Sequence, residues 1–183
     1  VVQNGYDVLN MSYGAPEECF AESAELQRAT GAGGLLVAAA GNEFAEGNPL
    51  EFPASLPHVL TVAATDLERR SSYFSNANAA VDLSAPGETI ATAVPVKYDA
   101  DGNGDGYALV DGTSFAAPMV AAAGAWVAAV RPRLSADQLA QVIRLSADDL
   151  GRRGWDPHTG YGMLDVGAAL RAPTPRNDPL EPN

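Results

Sequence analysis

Apolar stretches with two different periodicities alternate along the first third of the chain. Residues 8–11 (VLNM) and 35–40 (LLVAAA) are short apolar runs, which are typical of buried strands. Between them, residues 16–30 predict a helix with Phe20 on its apolar side, and the glycine-rich stretch 31–34 ends it. A strand, a helix and a strand with short joins predict a parallel crossover unit in which both strands are buried on both faces.

The same alternation continues toward the C-terminus. Strands are predicted at 59–64, 81–85 and 90–94, and helices at about 113–130, 135–146 and 166–170. Ser135 is the predicted N-cap of its helix, with Gln138 at the capping-box position. The pattern predicts an α/β domain over about 1–171 with a parallel sheet. The tail 172–183 carries four prolines and no core pattern, which is typical of a linker or a frayed terminus.

Composition and charge exclude several classes of function. The 183 residues are 46% hydrophobic and 19% charged, which is a globular composition. A net charge of −12 repels phosphate backbones and anionic lipids, so neither nucleic acid nor a membrane surface is expected as a partner. The longest apolar run, 35–40, is too short to span a bilayer. Cys19 is the single cysteine, which excludes an internal disulfide.

The strongest candidate for chemistry is the segment 111–118, DGTSFAAP. Ser114 lies at the start of a predicted long helix, where free backbone N–H groups favour negative charge. A serine there can attack a carbonyl while its own N–H faces the resulting oxyanion. Pro118 removes a backbone donor inside that helix, and such violations of local rules tend to mark functional sites. The alternative is that Thr113 and Ser114 only cap the helix.

A second candidate lies at the end of the run 35–40. Asn42 places a side-chain amide just beyond a predicted buried strand. In open α/β sheets ligands bind outside the carboxyl ends of the strands, so Asn42 can supply a second donor to an oxyanion. The alternative is an asparagine that serves only a turn.

Taken in order, several segments resemble the signatures of a known family. The segments 9–14 (LNMSYG), 38–42 (AAAGN) and 112–118 (GTSFAAP) resemble the successive motifs of the subtilases, the subtilisin-like serine proteases. The connecting segments 52–64, 74–76 and 85–87 resemble the proteinase K-like branch, and 160–165 (GYGMLD) resembles the closing motif. This resemblance implies a subtilisin-like parallel sheet with helices on both faces. It also implies a secreted endopeptidase that acts on proteins or peptides.

The resemblance also implies roles for single residues. Ser114 matches the nucleophile and Asn42 the amide of the oxyanion hole. Ser12, Tyr13 and Gly14 match the strand that pairs with the substrate backbone, and Ala39, Ala40 and Gly41 match a wall of the pocket for the side chain before the scissile bond. The bond between Phe52 and Pro53 matches a cis peptide of the family.

Calcium is the expected cofactor at two places. By resemblance to the proteinase K-like branch, the carbonyls of Pro57 and Val59 and the carboxylate of Asp82 match a calcium site, and such oxygens suit calcium.

The second place is the loop 99–106, where oxygen-bearing side chains alternate with a glycine at the sixth position, as at the start of an EF-hand loop. The candidate ligands are Asp99, Asp101, Asn103 and Asp105. Val110 stands where such a loop needs a glutamate, so the alternative is an acidic hairpin tip between Val96 and Leu109.

The family's general base has no counterpart in this sequence. A subtilase needs an Asp and a His that lie upstream of its first signature, and the two histidines here, His58 and His158, stand in other contexts. We therefore expect the C-terminal half of a subtilase catalytic domain, with its N-terminal part missing and an exposed sheet edge. The expected partner is the N-terminal half of the same domain, and the chain alone is expected to be close to inactive.

Two other function classes stay open. One is a non-catalytic calcium- or peptide-binding module derived from a subtilase, in which the cleft survives without the chemistry. The other is a serine esterase of the α/β-hydrolase type. Residues 112–116 (GTSFA) lack the second glycine of the G-x-S-x-G elbow, which weakens the esterase reading.

Overall fold

The computed structural model describes residues 7–99 and 103–175. The strands are β1 (Val8–Met11), β2 (Leu35–Ala39), β3 (Val59–Thr65), β4 (Leu83–Pro86), β5 (Ile90–Ala93) and β6 (Tyr107–Val110). The helices are α1 (Phe20–Gly31), α2 (Thr113–Val130), α3 (Ala136–Leu145) and α4 (Val166–Arg171). The predicted strands and helices are thus present, with ends that differ by a few residues.

β1 to β4 form one parallel sheet in chain order, and β5 pairs with β6 as an antiparallel hairpin. The register places Val37 of β2 between Asn10 and Leu60 of its neighbours. Every residue of β2 and β3 is buried, as expected for central strands of a parallel sheet. The predicted crossover from β1 through α1 to β2 is confirmed.

The prediction that the first strand is buried on both faces is wrong. Asn10 is exposed and Val8 and Leu9 are only half-buried, whereas Met11 is buried. The reason is position: β1 pairs on one side only, with β2, in the described part of the chain. An edge strand has fewer neighbours to cover it than a central one.

Alternate residues of β2 face opposite layers, as the two-residue period of a strand requires. Leu35, Val37 and Ala39 belong to the large core that contains the buried face of α2. Leu36 and Ala38 belong to a smaller cluster on the other face. That cluster includes Leu26 and Ala29, the buried residues of α1. Helices therefore cover both faces of the sheet, which confirms the predicted α/β architecture.

The first helix begins later than the sequence predicts. It starts at Phe20 rather than near Pro16, because Ala15 is held in an antiparallel bridge with Phe52. The two backbone hydrogen bonds of that bridge are 3.0 and 2.8 Å long and keep the preceding chain extended. Phe20 is 82% exposed, so it does not belong to the buried side of the helix as predicted.

α2 is the central helix of the larger core. It contacts all four strands of the parallel sheet and also α3 and α4. By length and composition alone its 18 residues, with a mean hydropathy of 1.5, would suffice to cross a membrane. The search for an uninterrupted apolar run misses this helix because Pro118 and Gly124 divide its apolar residues. Its buried residues pack on the sheet, which is what the core helix of an α/β layer requires.

The predicted capping box of α3 is confirmed. The Ser135 hydroxyl accepts from the Gln138 N–H, and the Gln138 side chain accepts from the Ser135 N–H, at 3.2 and 3.1 Å. The first residues of the tail are tied to the helices: Thr174 accepts from Arg131, and Gln138 donates to the Pro175 carbonyl. The rest of the tail lies outside the described residues, so the domain boundary at 171 stays a prediction.

Candidate active site

The predicted catalytic and substrate-binding residues meet at the carboxyl end of the sheet, around a cavity of about 190 Å³ beside Ser114, here called the Ser114 cavity. Its lining residues are Tyr13, Gly14, Ala39, Gly41, Asn42, Glu43, Glu51, Thr113 and Ser114. Two further predicted residues support the lining from behind. Ser12 contacts Ser114, and the buried Ala40 donates its N–H to the Val62 carbonyl at 2.9 Å. Sequence reasoning missed Glu43, Glu51 and the positioning role of Thr113.

Ser114 and Ser12 are joined by two hydrogen bonds that run in opposite directions. The Ser114 hydroxyl donates to the Ser12 carbonyl at 3.3 Å, and the Ser12 hydroxyl donates to the Ser114 carbonyl at 2.8 Å. Ser12 directly follows β1, and Ser114 is the second residue of α2. The pair therefore holds the start of the helix against the end of the edge strand.

Pro118 explains why the Ser114 carbonyl is available. In a regular helix the N–H of residue 118 would donate to the carbonyl of residue 114. Proline has no N–H, so this carbonyl loses its helical partner. The Ser12 hydroxyl takes that place. The break in helix chemistry noted in the sequence is thus part of how Ser114 is held.

Asn42 is oriented by Thr113. Its Oδ1 accepts from the Thr113 N–H at 2.9 Å and from the Thr113 hydroxyl at 3.0 Å. Because an N–H can only donate, the carbonyl oxygen of the Asn42 side chain must face Thr113. The Nδ2 amide then points away, and it donates to no other residue in the described part of the chain. Gly112, rather than Thr113, is the N-cap of α2, so Thr113 serves Asn42 and not the cap.

The segment 12–14 lies outside the hydrogen bonds of the sheet. The pairing of β1 with β2 ends at Met11, and backbone pairing resumes at Ala15. Tyr13 is exposed and donates its hydroxyl to Glu22 at 2.7 Å. Burial, and then the hydrogen bond and charge of Glu22, raise the pKa of Tyr13 to about 12, so the phenol stays neutral.

Two carboxylates line the Ser114 cavity, and their surroundings differ. The Glu43 carboxylate accepts from the Asn42 N–H at 2.7 Å and from the Asn76 side-chain amide at 3.3 Å. Glu51 is only 6% exposed, and its carboxylate accepts no hydrogen bond from the described residues. Burial, and then the negative charge of Glu43, raise the pKa of Glu51 above its usual range. Nothing in its local sequence signals this position.

Neither histidine lies at the Ser114 cavity. His58 directly precedes β3. Because the strands are parallel, it lies at the amino end of the strands, opposite the carboxyl end where Asn42 lies. Its Nδ1 lies 3.8 Å from an Asp137 carboxylate oxygen. The ring of His158 packs 5.7 Å from that of Phe44. Both residues are exposed.

The first predicted calcium site is arranged as an ion pair. Asp82 accepts from the Thr61 N–H at 2.9 Å, and its other oxygen lies 3.2 Å from Arg144. Burial raises the pKa of Asp82, and Thr61 and Arg144 partly oppose this. Both carboxylate oxygens are engaged, so a calcium ion held with the carbonyls of Pro57 and Val59 would have to displace Arg144. These residues do not fit a calcium ion as they are arranged.

The second predicted site is only partly described, because Asp101 lies outside the described residues. Asp99 accepts from the Gly106 N–H at 3.1 Å, and Asn103 and Asp105 each accept from the N–H two residues further on. These side chains stabilise the connection between β5 and β6. Within residues 7–99 and 103–175, no three His, Cys, Asp or Glu side chains come together as a metal site. Calcium binding by this loop stays a prediction.

Comparisons with known proteins give the family. The chain matches the subtilase family, Peptidase S8, over residues 1–162. It is 34% identical over 171 residues to subtilisin DY of Bacillus licheniformis and 34% identical over 166 residues to the halolysin-like extracellular serine protease Nep of Natrialba magadii. These alignments cover 92% and 91% of this chain, and 58% and 28% of the two relatives.

A solved structure agrees with the sequence comparison. Fervidolysin from Fervidobacterium pennivorans, a keratinolytic enzyme related to subtilisin, superposes with a TM-score of 0.84 at 30% identity. The match covers 95% of this chain and 28% of fervidolysin. The chain therefore belongs to the subtilase family and has the subtilisin-like fold. The Phe52–Pro53 bond is cis, as the resemblance implies. The proteinase K-like branch stays a prediction.

Proposed function

We propose that this chain carries the nucleophile and the oxyanion hole of a serine endopeptidase. The observation that carries the proposal is the meeting of Ser114 and Asn42 at one cavity, beside the unpaired segment 12–14. The nucleophile lies at the N-terminus of an 18-residue helix, where backbone N–H groups favour a developing negative charge. Membership in the subtilase family supports the same reading. The substrates are proteins or peptides.

The proposed reaction uses Ser114 and Asn42 together with a histidine base. The Ser114 oxygen attacks the peptide carbonyl, and its proton passes to a histidine base. The tetrahedral oxyanion is held by the Ser114 N–H and the Asn42 Nδ2. The intermediate collapses, the C–N bond breaks, and the leaving amine takes the proton from the imidazolium. Water, deprotonated by the same histidine, then hydrolyses the acyl-enzyme and restores Ser114.

The histidine and the aspartate that orients it come from residues that this sequence does not supply. Both histidines here lie away from the Ser114 cavity. The relatives named above are longer than the chain, which spans 58% and 28% of them. We place the missing groups in the N-terminal half of the same catalytic domain. Without them only about 10³–10⁴-fold catalysis over water is expected, as in subtilisins that lack triad members.

Secretion is part of the proposal and rests on the relatives. One of them is named as an extracellular serine protease. No role for calcium at Asp82 is included, because Arg144 occupies the position next to its carboxylate.

Labelling with a fluorophosphonate probe tests the proposal, because the probe reacts only with an activated serine. The chain is prepared alone and co-expressed with the N-terminal half of the domain, and Ser114→Ala is the control in both preparations. We expect labelling only in the assembled protein and only with Ser114 present. Rapid labelling of the chain alone would contradict the missing base. A folded assembly that does not react would contradict the endopeptidase and favour the peptide-binding module.

A further inference from the structure

The charge of the Ser114 cavity is one-sided. Glu43 and Glu51 both belong to the lining, and no lysine, arginine or histidine does among the residues that the structure describes. The remaining lining is backbone, small side chains, Asn42 and Tyr13. Among the described residues, a ligand that enters the cavity therefore meets two carboxylates and no compensating cation. Electrostatic complementarity favours a positively charged group there.

Glu51 is the carboxylate at the cavity that lacks a hydrogen-bond donor among the described residues. It is 6% exposed, yet no described donor satisfies its carboxylate. Buried carboxylates are normally paired or hydrogen-bonded, because desolvation without a partner is costly. Glu43, by contrast, already has the Asn42 N–H and Asn76 as donors. The structure thus keeps one carboxylate at the cavity in need of a partner.

The glycines of the cavity walls show where this carboxylate lies. A Cβ added to Gly14 would come within 2.6 Å of Glu51 Oε2. A Cβ added to Gly41 would come within 2.8 Å of Glu51 Cγ and of Glu43 Oε2. The Glu51 side chain therefore packs between the two backbone segments that flank the cavity, and glycine at both positions makes room for it.

We propose that Glu51 is a specificity-determining residue and that the Ser114 cavity takes a lysine or arginine side chain from the residue just before the scissile bond. The inference rests on the proposed function, since it assumes that Ser114 attacks the next carbonyl. A substrate ammonium or guanidinium supplies the donors that Glu51 lacks. An uncharged side chain with the same carbon chain covers the carboxylate and supplies no donor.

The expected size of the preference follows from the chemistry of charged hydrogen bonds. Such a bond contributes about 1.5–3 kcal/mol, which corresponds to about 10–100-fold in kcat/KM. A single buried acidic residue in the equivalent pocket gives trypsin its preference for basic side chains, on an unrelated fold. Glu43 adds a second negative charge, but its own hydrogen bonds hold it to Asn42 and Asn76.

The test uses the enzyme assembled with its N-terminal half and two blocked peptide substrates that differ only in lysine against norleucine before the scissile bond. Norleucine has the four-carbon chain of lysine and lacks only its terminal ammonium group. We expect kcat/KM for lysine to exceed that for norleucine about 10–100-fold. Glu51→Gln removes the charge at constant shape and should collapse this ratio at least about tenfold. Glu46→Gln, a matched change at an exposed residue of the same loop, should leave the ratio unchanged.

Two outcomes separate the specificity from the function. If the probe labels Ser114 and norleucine is cleaved as well as lysine, the specificity is overturned and the endopeptidase stands. If no peptide is cleaved and Ser114 is not labelled, the proposed function fails. Calorimetric binding of the same two peptides to the Ser114→Ala assembly then decides the specificity. Tighter binding of the lysine peptide that is lost in Glu51→Gln supports it, and equal binding overturns it.

Discussion

Two regions of this molecule hold mostly buried carboxylates in opposite ways. At Asp82 both oxygens have partners, the Thr61 N–H and Arg144. At the Ser114 cavity the Glu51 carboxylate and the Asn42 Nδ2 amide have none among the described residues. The Asp82 carboxylate therefore needs no further partner, although the buried Nε of Arg144 has none among the described residues. The Ser114 cavity has a polar acceptor and a polar donor with no partner among the described residues, and a ligand or a reacting substrate can satisfy both.

The largest effect that separates the two regions is expected at Asn42. Asn42→Ala removes the oxyanion donor and should lower kcat of the assembled enzyme about 10²–10³-fold, the loss known for one such donor in a subtilisin. Because the donor acts on the transition state, KM should change little. Steady-state kinetics on one peptide measure both constants. A variant that loses affinity and keeps its turnover would assign Asn42 to substrate binding instead.

The next effect concerns stability at Asp82. Arg144→Met keeps most of the side-chain volume and leaves the carboxylate without its cation, so the free energy of unfolding should fall by about 2 kcal/mol. This figure is reduced because the Arg144 side chain is 33% exposed. Arg69→Met is the matched control. The ion pair of Arg69 with Asp148 is exposed and should contribute no more than about 0.5 kcal/mol. If urea unfolding finds the same loss of stability for Arg144→Met and Arg69→Met, the Asp82 ion pair contributes no more than an exposed one.

Glu51→Gln should act in the opposite direction. Removing an unpaired buried charge at constant shape should raise the free energy of unfolding by about 0.5–1 kcal/mol at neutral pH. The same variant loses discrimination between lysine and norleucine, so stability and specificity move in opposite directions at one residue. Urea unfolding of Glu51→Gln and Glu46→Gln side by side measures the gain. Destabilisation by Glu51→Gln alone would mean that Glu51 has a structural partner.

The smallest effect is the pH dependence of that gain. The pKa of Glu51 is higher in the folded state than in an unfolded chain, so the folded state binds the proton more tightly. The ionised carboxylate therefore costs stability above this pKa, and acid removes the cost. Glu43 lies beside Glu51 in both proteins. We expect the advantage of Glu51→Gln over the natural chain to shrink as the pH falls through the raised pKa, and urea unfolding across a pH series checks it.

The sequence is a good guide wherever local chemistry decides the structure. The capping box of Ser135 and Gln138, the helix that starts at Thr113 and the central strands 35–39 and 59–65 are all set by neighbouring residues and by periodicity. Ser114 and Asn42 stand in recognisable motifs, and the fold brings them to one cavity, although their roles stay a proposal.

Long-range contacts decide what the sequence leaves out. The bridge between Ala15 and Phe52 delays the first helix, and no local pattern contains it. Asp82 has a partner 62 residues away in Arg144, which turns an expected calcium ligand into half of an ion pair. Glu51 lines the Ser114 cavity only because the fold packs it against Gly14 and Gly41. In each case the deciding neighbour is distant in the chain.

The double link between Ser12 and Ser114 spans 102 residues, and this gives the nucleophile a particular vulnerability. A serine fixed only by its own helix would remain in place while the rest of the sheet loosened. Here the end of the edge strand must be docked for Ser114 to be held. Edge strands open at lower free energy than central ones. In the chain alone, amide hydrogen exchange near Ser12 and Ser114 should therefore rise in mild denaturant before far-UV circular dichroism reports any loss of helix.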